Sequence, residues 1–102
     1  MTFIFDIDGT LTKRQKIWDE PNPDIMDRCK KLIEDGHNVI VWSRTRRYAE
    51  AFCKKHGLRP LFAVGKPQVI VDNEKKKWGG RFKNRTITPE EFAQNMEGGV
   101  YG

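Results

Sequence analysis

Residues 2–10 read TFIFDIDGT, and this stretch decides the fold. Its first six residues form an apolar run with two aromatic side chains, broken only by Asp6, which is typical of a buried strand. The turn formers Asp8, Gly9 and Thr10 follow at once and predict that the strand ends in a tight turn. The stretch therefore predicts a buried strand that carries two carboxylates, those of Asp6 and Asp8, at its carboxyl end.

Strands and helices are predicted to alternate along the rest of the chain. The predicted strands are 38–42, 61–64 and 69–71, and the predicted helices are about 24–35, about 43–56 and one that begins at Thr88-Pro89. Asp24 is predicted to cap the first of these helices. This alternation predicts an α/β fold, a three-layer Rossmann-like domain with a mostly parallel sheet. No linker interrupts the pattern, so residues 1–102 are expected to form a single domain.

The composition is that of a globular protein, with 37% hydrophobic and 32% charged residues. No apolar run approaches the roughly 18 to 20 residues of a membrane-spanning helix, so no membrane partner is expected. An acid follows three apolar residues near Met1 without a basic leader, which favours a cytoplasmic location. Cys29 and Cys53 lack metal-ligand spacing and are expected to be free thiols in a reducing compartment.

The net charge of +5 is unevenly distributed. Residues 1–43 hold six Lys/Arg against eight Asp/Glu, whereas residues 44–102 hold thirteen against six. A basic half beside a carboxylate-rich half suits an anionic substrate gathered onto a metal site. A charged surface that serves solubility is the alternative explanation.

Polar side chains fall where the predicted strands end. Asp6 and Asp8 follow the first strand, Ser43 follows the second, and Asp72 ends the fourth, which Lys66 precedes. Because the carboxyl ends of parallel strands share one edge, these residues are expected to converge there. Three carboxylates packed together need a cation, and Mg²⁺ prefers such hard oxygen ligands.

These residue types fit phosphoryl transfer. A carboxylate such as Asp6 can attack phosphorus, and a second acid such as Asp8 can protonate the leaving oxygen. The Ser43 hydroxyl and the Lys66 ammonium can hold the phosphoryl oxygens, helped by backbone N–H groups of the turn at Gly9 and Thr10.

The set of motifs resembles the haloacid dehalogenase (HAD) superfamily of phosphatases. Residues 6–12, DIDGTLT, resemble its first motif, and the apolar strand that ends in Ser43 resembles its second. Lys66 in residues 65–67 resembles the third motif, and Asp72 at the end of residues 69–72 resembles the fourth. The four occur in family order within residues 3–74.

The resemblance implies a magnesium-dependent phosphatase (a hydrolase) that acts through an aspartyl-phosphate. By it, Asp6 would be the nucleophile and Asp8 the general acid/base, while Ser43 and Lys66 would hold the phosphate. The implied metal ligands are Asp6, the main-chain carbonyl of Asp8, and Asp72. The family's fourth motif usually carries a second acid, but here Asn73 follows, which can hydrogen-bond a metal-bound water.

The chain has no room for a cap domain. Only short loops are predicted between Thr12 and Asp24 and between Gly57 and Lys66, where family members usually carry shielding insertions. A capless member resembles those that act on large substrates, or those that form a homo-oligomer in which a neighbour completes the site.

Each of two clusters of basic residues has two possible interpretations, a binding surface or a solvated surface. Arg44, with Arg46 and Arg47, lies beside the predicted phosphate site and either binds an anion or is solvated surface. Residues 75–85 carry Lys75, Lys76, Lys77, Arg81, Lys83 and Arg85 together with Trp78 and Phe82. This segment is either a nucleic-acid surface or solvated charge.

The leading functional expectation is a phosphatase for a phosphorylated small metabolite or nucleotide. One alternative is a phosphatase for the 3′ or 5′ terminal phosphates of nucleic acids, because polynucleotide kinase phosphatase domains look similar in the first motif. The other is a HAD-fold binding protein without turnover, suggested by Asn73 in place of an acid.

Overall fold

The structure, a computed structural model, describes residues 1–14 and 20–102. The chain divides into two compact units, Met1–Lys66 and Pro67–Gly102. The expectation of a single domain over the whole chain stays a prediction. The short loop predicted between Thr12 and Asp24 includes residues 15–19, which lie outside the described part of the chain.

The first unit contains a three-stranded parallel sheet with helices between its strands. In chain order its elements are β1 (Thr2–Asp6), α1 (Pro23–Glu34), β2 (Asn38–Ser43), α2 (Arg46–Lys55) and β3 (Phe62–Gly65). The strand order is β1-β2-β3, and both pairs are parallel. The predicted strands and their parallel arrangement are thus confirmed in this unit, with boundaries shifted by about one residue.

Helix α1 begins at an asparagine cap. The Asn22 Oδ1 accepts a hydrogen bond from the Ile25 N–H at 3.4 Å, and Pro23 occupies the first helical position, where no N–H is needed. The prediction that Asp24 caps this helix is wrong, because Asp24 already lies within the helix. Its carboxylate instead pairs with Arg28 one turn on, at 2.9 Å.

Helix α2 begins at Thr45, whose Oγ1 accepts from the Tyr48 N–H at 3.2 Å. Its buried side chains, Ala49, Phe52 and Cys53, recur at the three-to-four residue spacing that puts them on one face. Ser43 does not cap this helix but ends β2, where it is buried.

The buried apolar core of the described chain lies entirely in the first unit. It consists of Ile7, Leu11, Met26, Cys29, Val39, Val41, Ala49, Phe52, Cys53 and Leu58. Both cysteines are free, as predicted, and burial raises the pKa of each thiol to about 11. Burial of these side chains is the main force that holds the sheet against its helices.

The second unit is built from short elements. They are β4 (Ile70–Val71), a 3₁₀ turn (Lys75–Lys77), α3 (Gly80–Arg85), β5 (Thr86–Ile87) and α4 (Pro89–Glu97). Strands β4 and β5 pair in parallel. The predicted start of α4 is confirmed, because Thr88 and Glu91 form a reciprocal capping box ahead of Pro89. The short α3 and β5 were not predicted.

The observed fold is therefore mixed α/β with parallel strand pairs in both units. Among the described residues, no helix is long and apolar enough to cross a membrane.

Candidate active site

The carboxyl ends of β1, β2 and β3 lie side by side in the first unit. Asp6, the last residue of β1, is in register with Trp42 of β2. Ser43, the last residue of β2, is in register with Gly65, the last residue of β3, and Lys66 follows directly. The parallel register thus brings Asp6, Ser43 and Lys66 to one edge of the sheet.

Asp6 and Lys66 form an ion pair at this edge. The Lys66 Nζ lies 3.1 Å from the Asp6 Oδ1, and the two side chains are 18% and 37% exposed, respectively. The Lys66 N–H donates to the Ser43 carbonyl at 2.6 Å, which holds the lysine backbone against β2. An ammonium beside a carboxylate reduces the repulsion that a phosphate dianion would meet on approach to Asp6.

The turn after β1 is fixed by its own hydrogen bonds. Gly9 has φ of 81°, a left-handed conformation that favours glycine. Its N–H donates to the Thr12 Oγ1 at 3.1 Å, and that buried hydroxyl donates to the Arg14 carbonyl at 2.8 Å. For the Gly9 N–H to hold a phosphate as predicted, it would have to share this bond, so the roles of Gly9 and Thr10 stay predictions.

Asp8 is held by a residue that sequence reasoning did not assign to the site. The Tyr48 hydroxyl donates to the Asp8 Oδ1 at 2.7 Å, across a separation of 40 residues. Tyr48 lies half-buried in the first turn of α2. The sequence does contain one indication of this contact, which is that Tyr48 lies in the first turn of the helix after Ser43. In a parallel sheet the start of such a helix lies near the carboxyl ends of the strands, and so near the end of β1.

The loop after Ser43 lies close against the end of β3. A side-chain Cβ at Gly65 would lie 3.3 Å from the backbone nitrogen of Arg46 and 3.6 Å from the backbone oxygen of Arg44. Glycine therefore allows the loop to approach β3 this closely. Arg46 pairs with Glu50 at 3.3 Å. The exposed Arg44 makes no ion pair with a described residue, which leaves its guanidinium available for an anion.

Asp72 and Asn73 belong to the second unit. The Asp72 carboxylate accepts from the Trp78 Nε1 at 3.0 Å and from the Glu74 N–H at 2.8 Å. The hydrogen bond from Trp78, followed by that from Glu74, holds the pKa of Asp72 below its ordinary value. Convergence of Asp72 and Asn73 with Asp6 and Asp8 stays a prediction, because the two pairs lie in different units.

Two oxygen donors of the first unit are of the kind that magnesium prefers. Mg²⁺ is commonly held in enzymes by one or two carboxylates and by carbonyl oxygens, together with waters and a substrate phosphate. The resemblance implies that the Asp6 carboxylate and the main-chain carbonyl of Asp8 supply such oxygens. Within residues 1–14 and 20–102, no group of three or more His, Cys, Asp or Glu side chains is arranged to hold a metal ion.

Comparison with protein-family models, with curated proteins and with solved structures finds no match for this chain. The residues of the site are therefore the basis for assigning a function to this protein.

Proposed function

We propose that this protein is a magnesium-dependent phosphatase of the capless HAD type, with a three-layer fold, that hydrolyses phosphomonoesters through an aspartyl-phosphate on Asp6. The observation that supports it most is the Lys66–Asp6 ion pair of 3.1 Å at the carboxyl edge of three parallel strands. It joins a carboxylate of the first motif to the lysine of the third.

In the first step, a carboxylate oxygen of Asp6 attacks the phosphorus of the ester. A bond forms between Asp6 and phosphorus, and the bond from phosphorus to the alcohol oxygen breaks. Asp8, in its protonated form, gives a proton to that oxygen, so the alcohol leaves as a neutral molecule.

In the second step, water replaces the protein carboxylate. Asp8, now ionised, takes a proton from the water as its oxygen attacks phosphorus. The bond between phosphorus and Asp6 breaks, inorganic phosphate is released, and both carboxyl groups return to their starting states. The hydrogen bond from Tyr48 keeps Asp8 in one orientation for both proton transfers.

The other site residues stabilise charge on the phosphoryl oxygens. Lys66 offers a positive charge beside the attacked phosphorus, Ser43 offers a hydroxyl, and the exposed Arg44 offers a guanidinium. Magnesium, held by the Asp6 carboxylate and the main-chain carbonyl of Asp8, would supply further positive charge to these oxygens.

The substrate that fits this proposal best is a phosphorylated small metabolite or a nucleotide. The Asp6 side chain is more than a third exposed, so a phosphate on a small molecule can approach it from solvent. The cytoplasm is the compartment we propose, because it supplies such esters and keeps the free thiols of Cys29 and Cys53 reduced.

A binding protein without turnover is the second candidate. The observation that favours it is Asn73, which follows Asp72 where the family's fourth motif usually carries a second acid. Such a protein would hold a phosphate ester at Lys66 and Arg44 without cleaving it.

The test is hydrolysis of an aryl phosphate with and without Mg²⁺, by the wild type and by Asp6→Asn. We expect magnesium-dependent release of phosphate, and a loss on the order of 10³-fold or more when the nucleophile is removed. Asp27→Asn is the matched control, because Asp27 is an exposed residue of α1 with no predicted role in the site.

Labelling with a radioactive phosphate ester separates the two candidates. The phosphatase should acquire acid-stable label in the wild type and in Asp27→Asn, but not in Asp6→Asn. Equal turnover in Asp6→Asn would refute the mechanism. Binding of the ester without phosphate release would support the non-catalytic candidate.

A further inference from the structure

Positive charge in the second unit is gathered in residues 75–85, which we call the basic segment. It contains six cationic residues and no acidic one: Lys75, Lys76, Lys77, Arg81, Lys83 and Arg85. The acidic residues of this unit lie outside it, at Asp72 and Glu74 before the segment and at Glu90, Glu91 and Glu97 on α4. The unit thus keeps its two signs of charge apart along the chain.

Only two cations of the basic segment have a partner among the described residues. Lys77 pairs with Glu74 at 2.9 Å, and Arg85 donates to the Pro67 carbonyl at 2.7 Å. The other four are exposed and make no ion pair within the described chain: Lys75, Lys76, Arg81 and Lys83.

This arrangement works against the stability of the free protein. Arg81 lies in the first turn of α3, where a positive charge is unfavourable for the helix dipole. Arg81 and Arg85 are one helical turn apart, a spacing at which like charges repel. A bound polyanion would relieve both effects.

Aromatic side chains are interleaved with these cations. Trp78 and Phe82 are half-buried. They lie four residues apart, Trp78 directly after the 3₁₀ turn Lys75–Lys77 and Phe82 within α3. The Trp78 Nε1 donates to the Asp72 carboxylate at 3.0 Å, which fixes the indole next to the lysines. The Arg85 guanidinium lies 5.8 Å from the centre of the Phe82 ring.

We propose that the basic segment is a binding surface for single-stranded nucleic acid, with its free cations on the phosphates and Trp78 against a base. Cations that follow the backbone, combined with aromatic rings that accept unpaired bases, are the features that single strands require. An anionic membrane fits less well, because α3 has six residues and Phe82 is its one large apolar side chain, whereas membrane-surface helices carry a long apolar face. The inference does not depend on the proposed phosphatase activity.

The test is binding of a fluorescently labelled oligonucleotide of about 12 nucleotides, followed by anisotropy from about 50 to about 300 mM salt. The decisive variant carries four substitutions: Lys75→Gln, Lys76→Gln, Arg81→Gln and Lys83→Gln. Since each lost phosphate contact reduces the salt slope by about 0.7, we expect a slope flatter by about 3. Affinity at low salt should fall at least about tenfold.

A control variant removes the same charge from the first unit. It carries Lys13→Gln, Lys30→Gln, Lys54→Gln and Arg59→Gln, and it should bind as the wild type does. The four substituted residues are exposed and make no ion pair within the described chain, so the variant of the basic segment should melt close to the wild type and a fall in affinity would not reflect unfolding. Asp6→Asn should bind normally, which separates failure of this surface from failure of the phosphatase.

Three results would overturn the proposal. They are unchanged affinity in the basic-segment variant, tighter binding to a duplex of the same sequence, and tighter binding to phosphatidylserine vesicles. Tryptophan fluorescence tests the base contact. Because the chain has two other tryptophans, quenching by the oligonucleotide is compared between variants: it should fall in Trp78→Phe but not in Trp42→Phe, and equal quenching in the two would refute the role of the Trp78 indole.

Discussion

The two units of this protein are stabilised in different ways. In the first unit, two helices and three parallel strands enclose all ten of the buried apolar side chains in the described chain. In the second unit, every residue of which the structure describes, Thr86 is the one buried residue, and apolar side chains such as Val71, Met96 and Val100 are exposed. This unit therefore has no buried apolar core of its own, and hydrogen bonds such as that from the Arg85 guanidinium to the Pro67 carbonyl help to hold it.

The comparison shows why the candidate active site is in the first unit. Catalytic groups must keep their positions within a fraction of an ångström, and they keep them best on strands and helices fixed by a packed core. Asp6, Ser43 and Lys66 all occupy such positions at the ends of core strands. The short elements of the second unit, by contrast, present charge over a surface, which requires less rigidity.

The largest expected effect concerns two phenylalanines, one in each unit. Phe52→Ala should lower the free energy of unfolding by about 3–5 kcal/mol, because the ring is fully buried and its removal leaves a cavity. Phe92→Ala should cost about 1 kcal/mol or less, because that ring is 38% exposed and packs mainly on Tyr101. Urea denaturation measures both, and equal losses would show that the two units do not differ in this way.

Two tyrosines, one in each unit, test whether the site lies in the first unit. Tyr48→Phe should lower kcat several-fold, up to about tenfold, with little change in KM, because an ordinary hydrogen bond is worth roughly 0.5–1.5 kcal/mol and this one orients Asp8. Tyr101→Phe, which removes a hydroxyl bonded to Asn95 in the second unit, is the control and should leave kcat unchanged. If both variants keep full activity, Tyr48 has no positioning role.

Two glycines test how tightly each unit is packed. Gly65→Ala should cost on the order of 1 kcal/mol, because the added methyl would lie 3.3 Å from the Arg46 backbone. Gly79→Ala should cost about half as much, because nothing lies within 4 Å of the added methyl and the loss comes from replacing glycine at the N-cap of α3. Thermal unfolding compares the two variants, and a larger loss at Gly79 would contradict the distinction.

The smallest effect is a pH dependence in the second unit. The hydrogen bonds from Trp78 and Glu74 hold the folded pKa of Asp72 below its ordinary 3.8. The resulting stability is present above that ordinary value and is lost as the pH falls through the lower, folded pKa. Melting temperatures of the wild type and Asp72→Asn should therefore differ slightly near about pH 7 and converge near about pH 2. A gap that widens in acid would reverse the assigned sign.

Local signals predicted some elements well and others poorly. The start of α4 at Thr88 was predictable, because Thr88 and Glu91, which form its capping box, are close in sequence. The cap of α1 was placed two residues late, at Asp24, because Asn22 and Asp24 are both good caps and flank the same proline. Helix α3 and β5 were not predicted, because residues 80–87 have no apolar periodicity.

The candidate site was predictable in its strand-end residues but not in its contacts. Asp6, Ser43 and Lys66 could be assigned to one edge because parallel strands place their carboxyl ends together. The hydrogen bond from the Tyr48 hydroxyl to Asp8 could not be predicted from the sequence, since it depends on how α2 packs against the turn after β1.

The sequence by itself determined the alternation of strands and helices, the position of a carboxylate at the end of the first strand, and the concentration of positive charge in the basic segment. These features follow from residue order alone, because hydrophobic spacing and turn formers act over a few neighbouring residues. The tertiary structure decided that Lys66 pairs with Asp6 and that a phenol holds Asp8. Such contacts join residues distant in the chain, and only the packing of the sheet against its helices brings them within hydrogen-bond distance.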